Sequence, residues 1–249
     1  MKWVFDLIFP PRCAVCTEVL KLEERYDFLC QDCRAEIPYF PKEICPHCGG
    51  ETETAAFCDF CRKGFAFGSA CAVFPYETVR DAIHLFKYDG DKTIGYGLGE
   101  LMADYLLEYH EELLVKTDVM LSVPLHPKKE KFRGFNQTHI LCEKISEKAG
   151  LVFQKVGLER KRETIAQSEL GPEERKRNLK DAFGTTMDFT GKRVLLVDDI
   201  FTSGTTCHEC AKVLYRAGAK EVFVFCLAAA GKKQTGRGIV YEDTIEEMF

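Results

Sequence analysis

The sequence predicts an α/β fold with a mostly parallel sheet, preceded by a small N-terminal unit held by metal. Three observations carry this expectation. Val194-Leu195-Leu196-Val197 is an apolar run that reads as a strand buried on both faces; it ends in Asp198-Asp199, a turn of small residues and a helical pattern from Cys207 to Ala217. Val119 to Val123 is a second such run, leading into a loop of prolines and cations. Eight cysteines fall before residue 62 as four C-x-x-C pairs.

Composition sets the bounds. With 249 residues the chain can hold one sizeable α/β domain and a small accessory unit. A net charge of −5 excludes a polycation that seeks nucleic acid indiscriminately. Eight of the thirteen cysteines cluster at metal spacing, which does not read as a disulfide framework, and free thiols fit a reducing cytosol. The apolar start, Met1 to Pro11, is short and broken by Asp6, so neither a signal peptide nor a membrane span is expected and the protein reads as cytoplasmic.

In chain order, Cys13-x-x-Cys16 and Cys30-x-x-Cys33 supply one four-ligand set, and Cys45-x-x-Cys48 and Cys58-x-x-Cys61 a second. Two C-x-x-C turns complete a tetrahedral Cys₄ zinc site, and all-cysteine ligation leaves no open position for catalysis. Pairing of neighbours and a crossed arrangement use the same residues; an iron–sulfur cluster also takes four cysteines, but ribbon-like repeats favour structural zinc, one ion or two. So small a segment takes its folding energy from the metal. His47 sits between two ligands without being one.

The boundary is expected between Arg62 and Phe67, giving a double ribbon over 1–63 and the large domain over 64–249. Gly64 to Phe74 reads as the first strand. Glu77 to Phe86 reads as a helix with Val79, Ala82, Ile83 and Phe86 on one face, and Lys87 to Asp91 as a turn. Lys87 is either a surface cation or a phosphate ligand. Ile94 to Leu114 reads as one helix; Gly95, Gly97 and Gly99 make no dinucleotide loop, since no strand precedes them, and either permit close packing or weaken the helix start. Cys71, Cys142, Cys207, Cys210 and Cys226 read as buried structural thiols. Glu221 to Ala230 is the next strand.

Two stretches carry chemistry. Ser203-Gly204-Thr205-Thr206 turns hydroxyls and backbone N–H groups on one point at a helix N-terminus, which suits a phosphate. Asp198 and Asp199 suit ribose hydroxyls or Mg²⁺. No Walker A loop or Rossmann fingerprint is present. Pro124 to Gln137 carries Lys128, Lys129, Lys131 and Arg133 after a strand end, where a pyrophosphate would find cations.

The strand, acid pair and T-S-G-T-T turn resemble the 5-phosphoribosyl-1-pyrophosphate (PRPP) loop of type I phosphoribosyltransferases. With Val123-Pro124, Arg133-Gly134-Phe135-Asn136-Gln137, the block from Arg160 and Arg162 through Glu174, Arg175 and Asn178 to Phe183, and the C-x-x-C pairs, the chain resembles the ComF family. These are phosphoribosyltransferase-like proteins associated with competence and DNA uptake in bacteria. The resemblance implies a type I phosphoribosyltransferase-like domain behind a double zinc ribbon. It gives Asp198 and Asp199 the ribose hydroxyls, directly or through Mg²⁺, and Thr202, Ser203, Gly204, Thr205 and Thr206 the 5′-phosphate. Pro124, Leu125, His126 and Lys128 would form the pyrophosphate loop, and Lys131 to Gln137 a mobile loop closing over the centre. Arg160 and Arg162 are open to a phosphate contact or a surface salt bridge.

The leading expectation is an enzyme that transfers phosphoribosyl from Mg²⁺–PRPP to an acceptor. Lys128, Lys131 and Arg133 would oppose the charge of leaving pyrophosphate, and the acidic pair would fix the sugar. The alternative is a non-catalytic PRPP or phosphate sensor whose ribbons and basic loop contact single-stranded DNA or a DNA-uptake partner. Phe57, Phe60, Phe65 and Phe67 are the candidate stacking residues for that reading, with core packing expected for most.

Overall fold

The computed structural model describes residues 10–24, 28–40, 45, 64–162 and 179–230. Cys48, Cys58, Cys61, His47, Phe57, Phe60, Glu174, Arg175 and Asn178 lie outside the described residues.

Four strands form one sheet: β1 (Ser69–Pro75), β2 (Val119–Ser122), β5 (Arg193–Phe201) and β6 (Glu221–Ala229), in the order β1-β6-β5-β2 and all parallel. A separate antiparallel ladder pairs β3 (Glu159–Arg160) with β4 (Phe183–Gly184). Helix α1 (Gln31–Ala35) belongs to the cysteine unit. After β1 come α2 (Tyr76–His84), α3 (Lys92–Tyr109) and α4 (Glu111–Lys116); after β2 come α5 (Pro127–Arg133) and α6 (Gln137–Ala149); α7 (Thr205–Arg216) joins β5 to β6.

The near-continuous apolar runs are explained by helices on both faces. Leu195, Val197, Phe223 and Phe225 point into one core with α2, α3 and α6, while Val194, Leu196, Val222 and Val224 point into another with Cys207, Cys210, Ala211 and Leu214 of α7. Two-residue alternation divides each strand between the two layers. The five thiols read as structural, Cys71, Cys142, Cys207, Cys210 and Cys226, are all buried.

Several boundaries differ from expectation. Residues 64–68 bend rather than extend, and Phe65 stacks on Phe67 with both rings edge-on to Phe201. The long helix breaks at His110 (φ −140°), whose ring packs against Tyr105 and is 3% exposed. Lys131, Phe132 and Arg133 are helical: Pro127 occupies the first turn of α5, His126 Nδ1 accepts from Lys128 N, and Gly134 (φ +78°) ends it.

The helix glycines serve close packing. A Cβ at Gly97 would lie 2.6 Å from Phe28 Cβ and 2.8 Å from Ala14 Cβ, so the cysteine unit sits directly on α3. Cys13, Ala14, Val15, Leu20 and Leu29 join the same buried cluster as the sheet. Beyond α1, Phe40 N donates to Val73 O along the β1 edge, and the Tyr39 ring packs against Phe74, Tyr105 and Tyr109.

Candidate functional site

The sheet register builds the site. Pairing of β5 with β2 stops at Val197↔Ser122, with Val123 N donating to Val197 O, while pairing with β6 runs on to Phe201↔Ala229. Asp198 to Phe201 therefore stand beyond the end of β2, where the connection to α5 leaves the sheet. Ligands of open α/β sheets bind at such carboxyl ends.

Alternation sends the two carboxylates to opposite layers. Asp198 follows Val194 and Leu196 toward α7: its Oδ1 accepts from Asp199 N (2.8 Å), and Cys207 Sγ–H points at its Oδ2 (3.7 Å). It is 9% exposed, and burial, reinforced by the charge of Asp199, pushes its carboxyl up to about 7. Asp199 follows Leu195 and Val197 to the other layer, where the Lys87 ammonium meets its Oδ2 at 2.7 Å.

Lys87 reaches that position through a departure from the α-helix. After His84 the chain makes a π turn, Leu85–Asp89, closed by Gly90 at φ +71°. Four residues after the buried Ile83, Lys87 faces inward at the sheet's carboxyl edge. The same turn reaches the basic segment: the Arg133 guanidinium lies 5.1 Å from the Tyr88 ring centre, and Phe86 stacks on Phe135.

The Thr202–Thr206 turn is built around a left-handed glycine. Gly204 adopts φ +71° at the N-cap of α7, and a Cβ there would lie 2.5 Å from the Phe201 ring. Ser203 Oγ and Thr205 Oγ1 are 2.9 Å apart, and His208 Nδ1 accepts from Ala66 N (3.0 Å). A cavity of about 320 Å³ beside the turn is lined by Phe65, Ser203, Thr205, His208 and Lys212 among others.

Across the β2 end, Pro124 is buried, Leu125 and His126 are half-buried, and Lys128 and Lys131 are exposed on α5. Asn136 and Gln137, expected in a mobile loop, are 4% and 2% exposed. Asn136 Nδ2 and Thr138 Oγ1 both donate to Val123 O, which ties the start of α6 to the end of β2. Gln137 Oε1 accepts from Arg133 Nη1 (3.1 Å). Arg160 lies over the Phe183 ring at 5.5 Å, and Arg162 Nη2 donates to Lys180 O.

The sequence reading left Lys87 between two roles, and gave Tyr88 no role beyond a turn and Phe132 and Gln137 none beyond the mobile loop. A lysine spaced to fall on the apolar face of its helix was the available signal for Lys87. Phe132 is 85% exposed between Lys131 and Arg133, and helical spacing offered no sign of it.

The four sulfurs of Cys13, Cys16, Cys30 and Cys33 all lie within 4.8 Å of one another, with Cys16 and Cys30 at 3.6 Å. Zinc–sulfur bonds of about 2.3 Å in a tetrahedron separate sulfurs by about 3.8 Å, so this donor set fits a closed Cys₄ zinc site. The first two pairs therefore combine as neighbours rather than crossed. Cys30 Sγ accepts from Cys33 N at the start of α1, which aims both thiols inward. Burial pushes the Cys16 thiol up to about 11, so a bound metal would displace its proton. Cys45 is buried; its expected co-ligands fall outside the described residues.

Residues 4–62 match the model of the double zinc ribbon domain, and residues 147–242 that of the phosphoribosyl transferase domain. Competence protein ComFC of Streptococcus pneumoniae is 30% identical over 238 residues, 87% of this chain and 99% of its own. DNA utilization protein YhgH of Escherichia coli K12 is 31% identical over 225 residues, 89% and 98% of the two chains. Among solved structures, purine phosphoribosyltransferase from Pyrococcus horikoshii Ot3 shares 20% identity over 53% of this chain and 73% of that one, with a TM-score of 0.36. Identity of 30% and 31% over nearly nine-tenths of the chain to the competence and DNA-utilization proteins places this chain in the ComF family.

Proposed function

We propose that this protein binds PRPP at the carboxyl edge of its sheet and transfers the phosphoribosyl group to an acceptor, releasing pyrophosphate. One observation carries the reading: a phosphate-type turn and two acids leave β5 where the cationic segment leaves the neighbouring β2. The 5′-phosphate takes the Thr202–Thr206 turn, the ribose hydroxyls Asp198 and Asp199, and the pyrophosphate the Pro124–Lys128 segment with Lys131 and Arg133. The oxygen donors of Asp198 and Asp199 fit Mg²⁺, which bound with the substrate's phosphates would supply charge neutralisation.

In the reaction the bond from the anomeric carbon to the pyrophosphate oxygen breaks, and an acceptor lone pair forms the new bond. The sugar ring gains positive charge, which the nearby carboxylates favour. The leaving pyrophosphate gains negative charge, which the cations of α5 oppose. The domain division at residues 63 and 64, a second zinc held by Cys45, Cys48, Cys58 and Cys61, and a role in competence and DNA uptake belong to the same reading. The names of the two relatives support that last role. No helix among the described residues is long and apolar enough to cross a membrane.

Calorimetric titration of the zinc-loaded protein with Mg²⁺–PRPP tests this. Binding by the native chain and its loss in Asp198→Asn/Asp199→Asn is expected, followed by pyrophosphate release when the acceptor is supplied. No binding by the folded native chain overturns it.

Exposed Phe132 among Lys128, Lys129, Lys131 and Arg133 favours a second reading, contact with single-stranded DNA through α5. Salt-dependent affinity that disappears on charge reversal of Lys128, Lys129 and Lys131 is its expected signature, and affinity indifferent to the reversal removes it.

A further inference from the structure

Lys87 and Asp199 form an ion pair with side chains only 14% and 19% exposed, at the place where the proposed ligand's ribose belongs. The ammonium at 2.7 Å takes an acceptor site of Asp199 Oδ2 and competes with ribose hydroxyls for that carboxylate. Ribose hydroxyls are neutral, so replacing the ammonium with them leaves Lys87 without a counter-charge in a largely enclosed position. Such a charge is costly unless a new anion reaches it. The π turn that carries Lys87 also carries Tyr88, against Arg133 of the basic helix. The turn that carries Lys87 thus borders both the ribose acceptors and the basic helix.

Resting on the PRPP reading above, we infer that Lys87 is a specificity-determining residue that exchanges counter-ions: it leaves Asp199 when the ribose arrives and takes the anionic group on the ligand's anomeric carbon. A ligand with a pyrophosphate at that carbon restores the lost pair. Ribose 5-phosphate offers only a neutral hydroxyl there and must break the pair without replacing it. The ion pair thus acts as a filter for phosphoribosyl compounds activated at the anomeric carbon, and against the hydrolysed product.

The test compares two ligands on three proteins: native, Lys87→Met and Lys87→Arg, each titrated by calorimetry with PRPP and with ribose 5-phosphate. A hydrogen bond between charged groups contributes on the order of 10- to 100-fold in affinity. Lys87→Met is expected to lose about that factor for PRPP while binding ribose 5-phosphate at least as tightly as the native chain, so that the preference collapses. Lys87→Arg is expected to keep most of it. Equal losses for both ligands in Lys87→Met, with matched thermal stability, would show a merely structural lysine and overturn the inference alone. PRPP affinity unchanged in Lys87→Met would do the same. A native protein that binds neither ligand overturns the inference together with the function it rests on.

Discussion

Replacing Asp198 by Asn should stabilise the ligand-free protein above neutral pH. The Asp198 carboxyl is raised from its ordinary 3.8 to about 7, chiefly by burial and then by the charge of Asp199. Between those values the folded chain holds a proton that the unfolded chain has released, so this group's contribution to stability falls as pH rises through the window and levels off above about 7. Each tenfold in acidity corresponds to about 1.4 kcal/mol, so keeping the buried carboxylate ionised at pH ~8 costs at most about 4 kcal/mol. Asparagine removes that cost. Its Oδ1 can still accept from Asp199 N, but an amide facing Cys207 Sγ forfeits about 1 kcal/mol. The net gain is about 3 kcal/mol at pH ~8, or roughly 6–12 °C in melting temperature for a chain of this size, shrinking to less than about 1 kcal/mol near pH ~5. Denaturant titrations of both proteins at several pH values measure it. A stability difference between variant and native chain that is the same at pH ~5 and ~8 would refute the placement of Asp198 as a buried, charge-crowded carboxyl.

Other perturbations have equally definite outcomes. Gly204→Ala forces a side chain into φ +71° and against the Phe201 and Phe65 rings, so about 1–3 kcal/mol of stability and the affinity for phosphate ligands should fall together in melting and titration assays. Thr138→Val removes the donor to Val123 O and should cost about 1 kcal/mol with little effect on zinc content, read by denaturant unfolding and metal analysis. Chelation of zinc should lower the melting temperature of the whole chain and make Cys13, Cys16, Cys30 and Cys33 reactive to thiol reagents; retained stability after complete zinc loss contradicts the metal site. Gly97→Ala should weaken the seat of the cysteine unit on α3 and raise the reactivity of those same thiols without abolishing zinc binding.

The layered fold was legible because its signals are local. Val194 to Val197 and Val119 to Val123 are too apolar for half-exposed strands, and the helical pattern from Cys207 to Ala217 stops at Gly218, whose φ is positive. The thiols of the first two cysteine pairs could be matched to metal by spacing alone. What escaped was set by tertiary placement. The break at His110 depends on its ring finding Tyr105, and the bend at 64–68 on Phe65 and Phe67 finding Phe201. In the site, the acid pair and the turn were readable as a motif, but the division of Asp198 and Asp199 between the two layers needs the register of β5. The partner of Lys87 needs the π turn, for which 85–89 carries no distinctive pattern.

The seating of the cysteine unit has a practical consequence. Phe40 bonds along the outer edge of β1, and Tyr39 lies across Phe74, Tyr105 and Tyr109, so the chain before residue 64 shields an edge strand and an aromatic patch. Excision of that part to obtain the α/β domain alone would uncover unpaired backbone groups next to apolar rings, the combination that drives edge-to-edge aggregation. The ribbon is better regarded as a fitted cover of the α/β domain than as a tethered accessory, and metal shortage in the cell would act on the solubility of the entire polypeptide.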